Sequence, residues 1–199
     1  MKTKNVARRR TRAVVITGTP GTGKTTFSKA LADHIGANYL SLTRLVVRNH
    51  LHSTTDPYRR TKVIDLERTR AFLTTFLAES EKPTVVDTHV PDAVPRRFVS
   101  KTIVLRCHPR LLEARLRRKG WSLRKIRENV LAEILDACYS VAFAYYGVKN
   151  VAQIDTSRGG VRGCVRQGEA LLMNQASGAV VVDWISTLKR EQRMEDYLE

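Results

Sequence analysis

The sequence predicts a three-layer α/β fold in which helices cover both faces of a five-stranded parallel sheet. Short runs of apolar, often β-branched residues alternate along the chain with longer segments whose apolar residues recur at helical spacing. The predicted strands lack an alternation of polar and apolar residues, as expected when both faces of a parallel sheet are buried. A chain of 199 residues suits one domain of this kind.

In the first half of the chain, glycine and proline separate the predicted elements. The elements are a strand at 13–17, a Gly-rich turn at 18–23 with a helix from there to Gly36, a strand at 39–42, a polar segment at 43–62 interrupted by Pro57, a helix at 63–78 and a strand at 84–87.

In the second half, Pro109 is suited to a first helical position and Ser122 to a helix cap. The predicted elements are a strand at 102–105, a short helix from Pro109 to near Gly120, one long helix from Ser122 to Gly147, a strand at 151–154, a helix at 160–173 and a loop at 174–181.

Charge is the most unusual feature of the composition, with a net value of +16. Residues 1–12 carry +6 and residues 106–127 carry +8, so the excess is concentrated in two short stretches that favour polyanionic partners. The apolar runs are too short for a membrane helix or a signal peptide. The three cysteines are widely spaced, as expected of buried thiols in a reducing compartment. We therefore predict a cytoplasmic protein with no membrane association.

Residues 18–25 match G-x-x-x-x-G-K-[ST] at every fixed position, after a predicted buried strand and before a predicted helix. In such a P-loop the backbone N–H groups bind phosphate oxygens, the lysine reaches the β- and γ-phosphates, and the hydroxyl ligates Mg²⁺. The motif predicts ATP and Mg²⁺ as cofactors, with Thr25 as a metal ligand and Lys24 also catalytic. The predicted binding residues are Gly21, Thr22, Gly23, Lys24, Thr25 and Thr26, of which Thr26 lies towards the α-phosphate.

Two candidate catalytic residues follow the third predicted strand. Asp87 ends that strand, where a P-loop site needs an acid to hold the metal, and we predict that it binds Mg²⁺ through water. His89 is a candidate to position an attacking water beside the γ-phosphate. A structural or simply exposed histidine is the alternative, which the sequence leaves open.

A basic stretch between the two helices that follow the fourth strand predicts a mobile lid over the phosphates. Arg115 and Lys119 are four residues apart and close to the turn. We predict that both contact phosphate, Arg115 as a catalytic cation and Lys119 as a nucleotide-binding residue. Arg124, Lys125 and Arg127 suit a solvated helix face or contact with RNA.

Four segments resemble the adenylate kinase isoenzyme 6 family, which has archaeal and eukaryotic members and includes a ribosome-assembly ATPase. They are 16–26, Asp87-Thr-His89, the lid from Arg115 to Asn129, and Val182-Asp183-Trp184. The similarity covers about residues 13–190. It implies the P-loop NTPase fold of nucleoside monophosphate kinases, with a monophosphate-binding region at about 41–64 and a lid at about 118–128. A basic arm at 1–12 and a tail at 191–199 remain outside that domain.

The resemblance also implies an activity and partners. These are Mg²⁺-ATP-dependent phosphate transfer to AMP or another nucleoside monophosphate, ATP hydrolysis, and a role in maturation of small-subunit ribosomal RNA with a ribosomal protein of the S eleven type. The chain departs from the family pattern in two places. Lys119 replaces an arginine and loses its planar fork, and Thr43-Arg44-Leu45 replaces Gly-Asp-Leu. Asp65 and Arg68 are substitute candidates for the monophosphate site, or residues of an exposed helix face.

Three functions fit the sequence. The first is a nucleoside monophosphate kinase, and the second is an assembly factor whose nucleotide cycle controls binding to pre-ribosomal RNA and a ribosomal protein. The third is a small-metabolite kinase of the shikimate or gluconate type, which does not account for Asp87-Thr-His89. The basic arm and the +8 lid stretch carry more positive charge than a metabolic kinase requires, which favours the second function.

Overall fold

A computed structural model describes residues 13–56, 61–173 and 181–197 of the chain. Five strands form the main sheet: β1 (Ala13–Thr17), β2 (Asn38–Ser41), β5 (Thr84–Asp87), β6 (Val99–Arg106) and β7 (Val151–Asp155). Their order in space is β2-β5-β1-β6-β7, and every neighbouring pair is parallel. The predicted five-stranded parallel sheet is confirmed. Two further strands, β3 (His52–Asp56) and β4 (Thr61–Ile64), pair antiparallel as a separate ribbon.

Eight α-helices connect or cover these strands in the described part of the chain. They are α1 (Lys24–Ile35), α2 (Leu42–Arg48), α3 (Leu66–Glu79), α4 (Pro109–Arg118), α5 (Leu123–Ile134), α6 (Ala137–Tyr146), α7 (Gly160–Leu172) and α8 (Trp184–Arg190). None of these helices has the length and apolar character needed to cross a bilayer.

The central strand β1 shows how the three layers arise. Val14 and Ile16 face a core shared with α1 and α7, whereas Ala13 and Val15 face a core shared with α2, α3 and α6. Successive side chains of a strand point to opposite faces, so an all-apolar strand requires helices on both sides of the sheet. A third apolar cluster joins α4, α5 and α8.

The strand order places β1 between β5 and β6. The strands β5 and β2 lie on one side of β1 and the strands β6 and β7 on the other, so the order of the strands reverses at β1. In open parallel sheets, ligands bind in the crevice that forms at such a point. Ile16 and Ser41 are both register partners of Asp87, which brings the ends of β1, β2 and β5 to the same edge.

The predicted long helix from Ser122 to Gly147 is wrong, because the chain breaks into α5 and α6. Asp136 separates them in a left-handed conformation with φ of 55°. The Arg106 guanidinium donates to the Glu133 carbonyl oxygen at 2.8 Å and contacts the Asp136 carboxylate. A tertiary contact therefore holds the break, and the continuous apolar stripe of the sequence does not reveal it.

The polar segment at 43–62, for which the sequence predicts no helix or strand, contains most of α2 together with β3 and the start of β4. Val63, predicted to be helical, lies in β4, and α3 begins only after its cap at Asp65. The predicted strand at 39–42 ends at Ser41, because Leu42 starts α2. Of the predicted loop at 174–181, all but Val181 lies outside the described residues.

Candidate active site

The P-loop runs from the end of β1 into α1, and two of its glycines, Gly18 and Gly21, occupy positions where a side chain would meet neighbouring atoms. Gly18 has φ of 138°, and a Cβ there would lie 2.4 Å from the Leu105 carbonyl oxygen of β6. Gly21 has φ of 96°, and a Cβ would lie 2.8 Å from Leu112 Cδ1 of α4. Both positions require glycine, because an added Cβ meets neighbouring atoms and positive φ strains other residues. The loop is thereby packed between β6 and α4, with its backbone available to phosphate oxygens.

Lys24 is the first residue of α1 and folds back over the P-loop. Its Nζ donates to the carbonyl oxygens of Gly18 at 2.6 Å and Thr19 at 3.1 Å. Burial lowers the pKa of Lys24, and nearby groups, including the carboxylate of Asp87, oppose this effect. The ammonium group is therefore held within the phosphate-binding loop by main-chain acceptors. The predicted contact of Lys24 with the β- and γ-phosphates stays a prediction.

Thr25 and Asp87, the two predicted metal ligands, are in direct contact. Thr25 Oγ1 donates to Asp87 Oδ2 at 2.7 Å, and Tyr39 Oη donates to the same oxygen at 3.2 Å. Burial, followed by the charge of Asp87, raises the pKa of the Tyr39 hydroxyl, so Tyr39 stays a donor. One hydroxyl and one carboxylate, completed by phosphate oxygens and water, match the oxygen ligands that Mg²⁺ prefers. These side chains suit a magnesium ion held jointly with a nucleotide.

His89 follows Asp87 at the same edge of the sheet, and its side chain is partly exposed, with neighbouring atoms covering the rest. Desolvation, and then the positive charge of Lys24, lower the pKa of its imidazole, while Asp87 acts in the opposite direction. At neutral pH the ring is therefore uncharged. The influence of both Lys24 and Asp87 places His89 within the electrostatic field of the P-loop site.

A cleft of about 690 Å³ lies over the P-loop. Its lining residues come from the P-loop, from α4 and from the segment after β7; the cationic ones are Lys24, Arg115, Arg118 and Lys119. Arg115 donates to the carbonyl oxygens of Gly21 at 3.3 Å and Thr156 at 3.2 Å. Both predicted lid cations, Arg115 and Lys119, thus face the nucleotide side of the P-loop. Gly21, Thr22, Gly23, Thr25 and Thr26 line the same cleft.

Arg118 also lines the cleft, although the sequence did not predict it as a site residue. Its position three residues after Arg115 was the available signal, because residues three or four apart share a helix face. The more distal basic residues do not belong to this cleft in the part of the chain that the structure describes. Arg124 pairs with Glu128 at 3.2 Å, and Lys125 lies 4.0 Å from the ring centroid of Trp121. The solvated-face alternative is therefore favoured for these two.

The sequence also led to no prediction for Thr156 and Glu133, both of which contact the P-loop. Thr156 Oγ1 lies 2.9 Å from the carbonyl oxygens of both Thr22 and Arg106, so it links the P-loop to the end of β6. Glu133 is a buried carboxylate of α5 that accepts a hydrogen bond from Thr19. No sequence motif includes either residue, since each acts through a contact distant in sequence.

A second cavity of about 480 Å³ lies between β2, α2 and α3. Arg44 and Arg48 of α2 give the cavity positive charge, and Phe72 and Phe76 of α3 give it an aromatic surface. The other lining residues are Tyr39, Leu40, Ser41, Leu45 and Asn49. The Phe72 and Phe76 rings stack with centroids 6.5 Å apart. Two guanidinium groups beside an aromatic pair suit a ligand with a phosphate and a planar ring.

The two substitute candidates for the monophosphate site are placed differently. Asp65 caps α3, and its Oδ1 accepts from the backbone N–H of Arg68 at 3.0 Å. Neither residue lines the second cavity in the described part of the chain, and Arg68 is exposed. This geometry favours the exposed-face alternative for Arg68, whereas Asp65 is a half-buried helix cap. Arg44 lines the cavity at the position where the related family has an acid.

Comparisons with known proteins agree with this geometry. A family model described as an AAA domain matches residues 14–136, which is more than half of the chain. The protein named "Putative adenylate kinase" of Methanocaldococcus jannaschii is 34% identical over 171 residues, covering 86% of this chain and 92% of that protein. The "Adenylate kinase isoenzyme 6 homolog" of Caenorhabditis elegans is 31% identical over 148 residues, covering 74% of this chain and 81% of that protein.

Solved structures of more distant proteins share the fold. Shikimate kinase from Acinetobacter baumannii superposes with a TM-score of 0.56 at 19% identity, covering 84% of this chain and 96% of that one. A gluconokinase from Sinorhizobium meliloti superposes with a TM-score of 0.51 at 17% identity, covering 84% and 95% respectively. At these identities the likeness concerns the architecture alone.

Proposed function

Because the chain belongs to the family of archaeal adenylate kinase-type proteins and their isoenzyme 6 relatives, we propose that it transfers the γ-phosphoryl group of Mg²⁺-ATP to a nucleoside monophosphate, with AMP as the first candidate. One structural relationship carries the proposal. Asp87 receives hydrogen bonds from Thr25 of the P-loop and from Tyr39 of the second cavity. The proposed site for the phosphoryl donor and the proposed site for the phosphoryl acceptor thus each have a residue in contact with the Asp87 carboxylate.

The first cleft supplies what a phosphoryl donor requires. The P-loop amides and Lys24 bind the β- and γ-phosphates, and Thr25 with Asp87 holds the metal. Arg115, Arg118 and Lys119 bring three further positive charges to the same cleft. Transfer of a phosphoryl group is catalysed mainly by positioning and by stabilising charge on the equatorial oxygens, which cations in a cleft provide.

The second cavity supplies what the acceptor requires. Arg44 and Arg48 are suited to bind the phosphate of a nucleoside monophosphate, since guanidinium groups form paired hydrogen bonds with phosphate. Phe72 and Phe76 offer an aromatic surface for the base. We propose this cavity as the monophosphate-binding region, and the segment that carries Arg115, Arg118 and Lys119 as the start of the lid.

We further propose that the protein hydrolyses ATP and acts in maturation of small-subunit ribosomal RNA, together with a ribosomal protein. The support is the family resemblance and the charge of residues 1–12, which carry six basic and no acidic residues. A cluster of this kind suits a large polyanion, whereas a small nucleotide needs only the cations of the cleft. A cytoplasmic location stays a prediction.

A coupled assay for ADP formation, run with and without AMP, tests the proposal. We expect turnover that rises with AMP and yields two ADP for each ATP consumed. Arg44→Ala should raise the KM for AMP by about tenfold with little effect on the KM for ATP, whereas the matched variant Arg68→Ala should leave both unchanged. AMP-independent turnover that RNA or a ribosomal protein stimulates would instead favour the assembly factor. A preference for a small metabolite would favour the third function.

A further inference from the structure

Glu133 lies on α5, remote in sequence from the P-loop, and is only 2% exposed. Its Oε2 accepts a 2.6 Å hydrogen bond from Thr19 Oγ1, and no other described residue donates to that oxygen. Its Oε1 accepts from Arg106 Nε at 2.8 Å, from Trp184 Nε1 at 3.0 Å and from the Cys107 backbone N–H at 3.0 Å. Four donors from three parts of the chain, the P-loop, the end of β6 and α8, therefore meet on one buried carboxylate.

Arg106 balances the charge of Glu133 and is itself only 1% exposed. The remaining guanidinium protons go to Gln153 Oε1 at 2.7 Å, to the carbonyl oxygens of Val182 at 3.4 Å and Glu133 at 2.8 Å, and to the Asp136 carboxylate. Arg106 thus has its own partners without Thr19. The ion pair of Glu133 with Arg106 therefore does not need Thr19. The hydrogen bond from Thr19 instead connects this buried ion pair to the P-loop.

The main chain at Thr19 connects this contact to Lys24. The carbonyl oxygen of Thr19 accepts from Lys24 Nζ at 3.1 Å, from the Thr22 backbone N–H at 3.2 Å and from Thr22 Oγ1 at 2.9 Å. The hydroxyl of Thr19 therefore fixes one side of a residue whose carbonyl group orients the P-loop lysine. Without the hydrogen bond to Glu133, the main chain at Thr19 would be less restrained, and so would the carbonyl group to which Lys24 donates.

We propose that Glu133 is a positioning residue for the P-loop, and that the hydrogen bond from Thr19 holds the loop in the conformation that orients Lys24. The contacts of Glu133 with Arg106 and Trp184 connect the P-loop to the end of β6 and to α8. Glu133 also lies on α5, which begins in the predicted lid. The inference deepens the proposed function, because it rests on phosphoryl transfer at the P-loop. Neither Glu133 nor Thr19 occupies a fixed position of the P-loop motif.

The experiment compares Thr19→Val, which removes the hydroxyl at nearly constant shape, with Thr19→Ser, which keeps it. Thr102→Val is the matched control, because Thr102 is fully buried and its hydroxyl has no hydrogen-bond partner among the residues that the structure describes. The two measurements are kcat at saturating ATP and hydrogen exchange of the P-loop amides in the nucleotide-free protein. The second does not depend on activity.

We expect Thr19→Val to lower kcat by about tenfold and to speed P-loop exchange by about tenfold, the factor that corresponds to one hydrogen bond to a charged group. Thr19→Ser should stay within about twofold of the natural chain in both measurements, and so should Thr102→Val. Unchanged kcat and exchange in Thr19→Val would overturn the inference, as would equal loss in Thr19→Ser. If the natural chain transfers no phosphoryl group, the proposed function fails and the exchange measurement alone decides the role of Glu133.

Glu133→Met, which removes the acceptor at similar length, provides a second test in both Thr19 backgrounds. If Thr19 acts through Glu133, Thr19→Val should speed exchange of the P-loop amides much less in the Glu133→Met chain than in the natural one. Equal effects in the two backgrounds would show that Thr19 acts independently of Glu133 and would overturn the inference. If Glu133→Met fails to fold, the comparison of Thr19→Val with Thr19→Ser decides the matter.

Discussion

The Thr25 hydroxyl and the Asp87 carboxylate are joined by a 2.7 Å hydrogen bond between the first turn of α1 and the end of β5. The parallel register of β1 and β5, which pairs Ile16 with Asp87, brings these two segments to the same edge of the sheet. A hydroxyl donor and a carboxylate acceptor at this separation leave lone pairs that a divalent cation and its water shell can use. Their contact therefore marks the position at which we propose that Mg²⁺ binds.

Asp87→Asn should reduce kcat/KM for ATP by about a hundredfold or more and shift the activity to higher Mg²⁺ concentrations, because the carboxylate charge that holds the metal is lost. Mg²⁺ titrations of ADP formation measure this effect. The matched variant Tyr39→Phe removes a hydrogen bond to Asp87 but keeps its charge, so it should cost only a few-fold. An unchanged Mg²⁺ dependence in Asp87→Asn would contradict the metal role.

The P-loop site was predictable because its chemistry is contained in consecutive residues. Gly18, Gly21 and Lys24 have the backbone geometry and contacts that the motif requires. Asp87 was predictable for a related reason, since a short strand ending in an acid places that acid at the edge of a parallel sheet. In both cases local sequence determines where the functional atoms lie.

The features that the sequence did not predict depend mostly on contacts between segments that are distant in the sequence. Arg106 contributes to the basic stretch at 106–127, yet it is buried against Glu133 and adds no positive charge to the surface. Local pattern does not distinguish it from the surface arginines around it. The short helix α2 did carry a usable signal, because Leu42, Leu45 and Val46 recur at helical spacing, but at 7 residues it falls below the length at which periodicity is reliable.

His89→Ala should reduce ATP turnover by about tenfold or more while changing ATP affinity much less, because a residue that positions the attacking water acts mainly on the chemical step. Turnover and the Kd for ATP are measured on the same variant. Equal loss of both would remove the catalytic role and leave His89 as an exposed residue of the site.

The pH dependence gives an independent test of His89. Desolvation and Lys24 lower the pKa of its imidazole below the ordinary value, so the neutral ring predominates at pH 7 and above. If the neutral ring is the active form, turnover of the natural chain should be level above pH 7 and fall as the pH drops through the lowered pKa. His89→Ala should lose this acidic decline. A decline of the same shape in His89→Ala would assign it to another group.

Arg118→Ala should lower kcat/KM for ATP by about tenfold, because the side chain lines the cleft over the P-loop and is suited to stabilise phosphate charge. Arg117→Ala is the matched control one residue earlier on α4. Arg117 pairs with Glu113 at 2.6 Å and does not line this cleft in the described part of the chain. Steady-state ADP formation distinguishes the two variants. Equal losses would indicate a general effect of charge or helix stability.

Removal of the positive charge at residues 1–12 should weaken binding to RNA and leave ATP turnover nearly intact. The six basic residues there precede β1, and the phosphate-binding groups of the site all lie after it. Binding that releases counterions weakens with salt by about 0.7 log units per log unit of salt for each single-stranded phosphate neutralised. We therefore expect both a lower affinity and a flatter salt dependence. Replacing the six basic residues by serine keeps the chain length constant, so a change in the salt slope reports charge alone. Unchanged affinity and slope in that variant would show that these residues do not contact RNA.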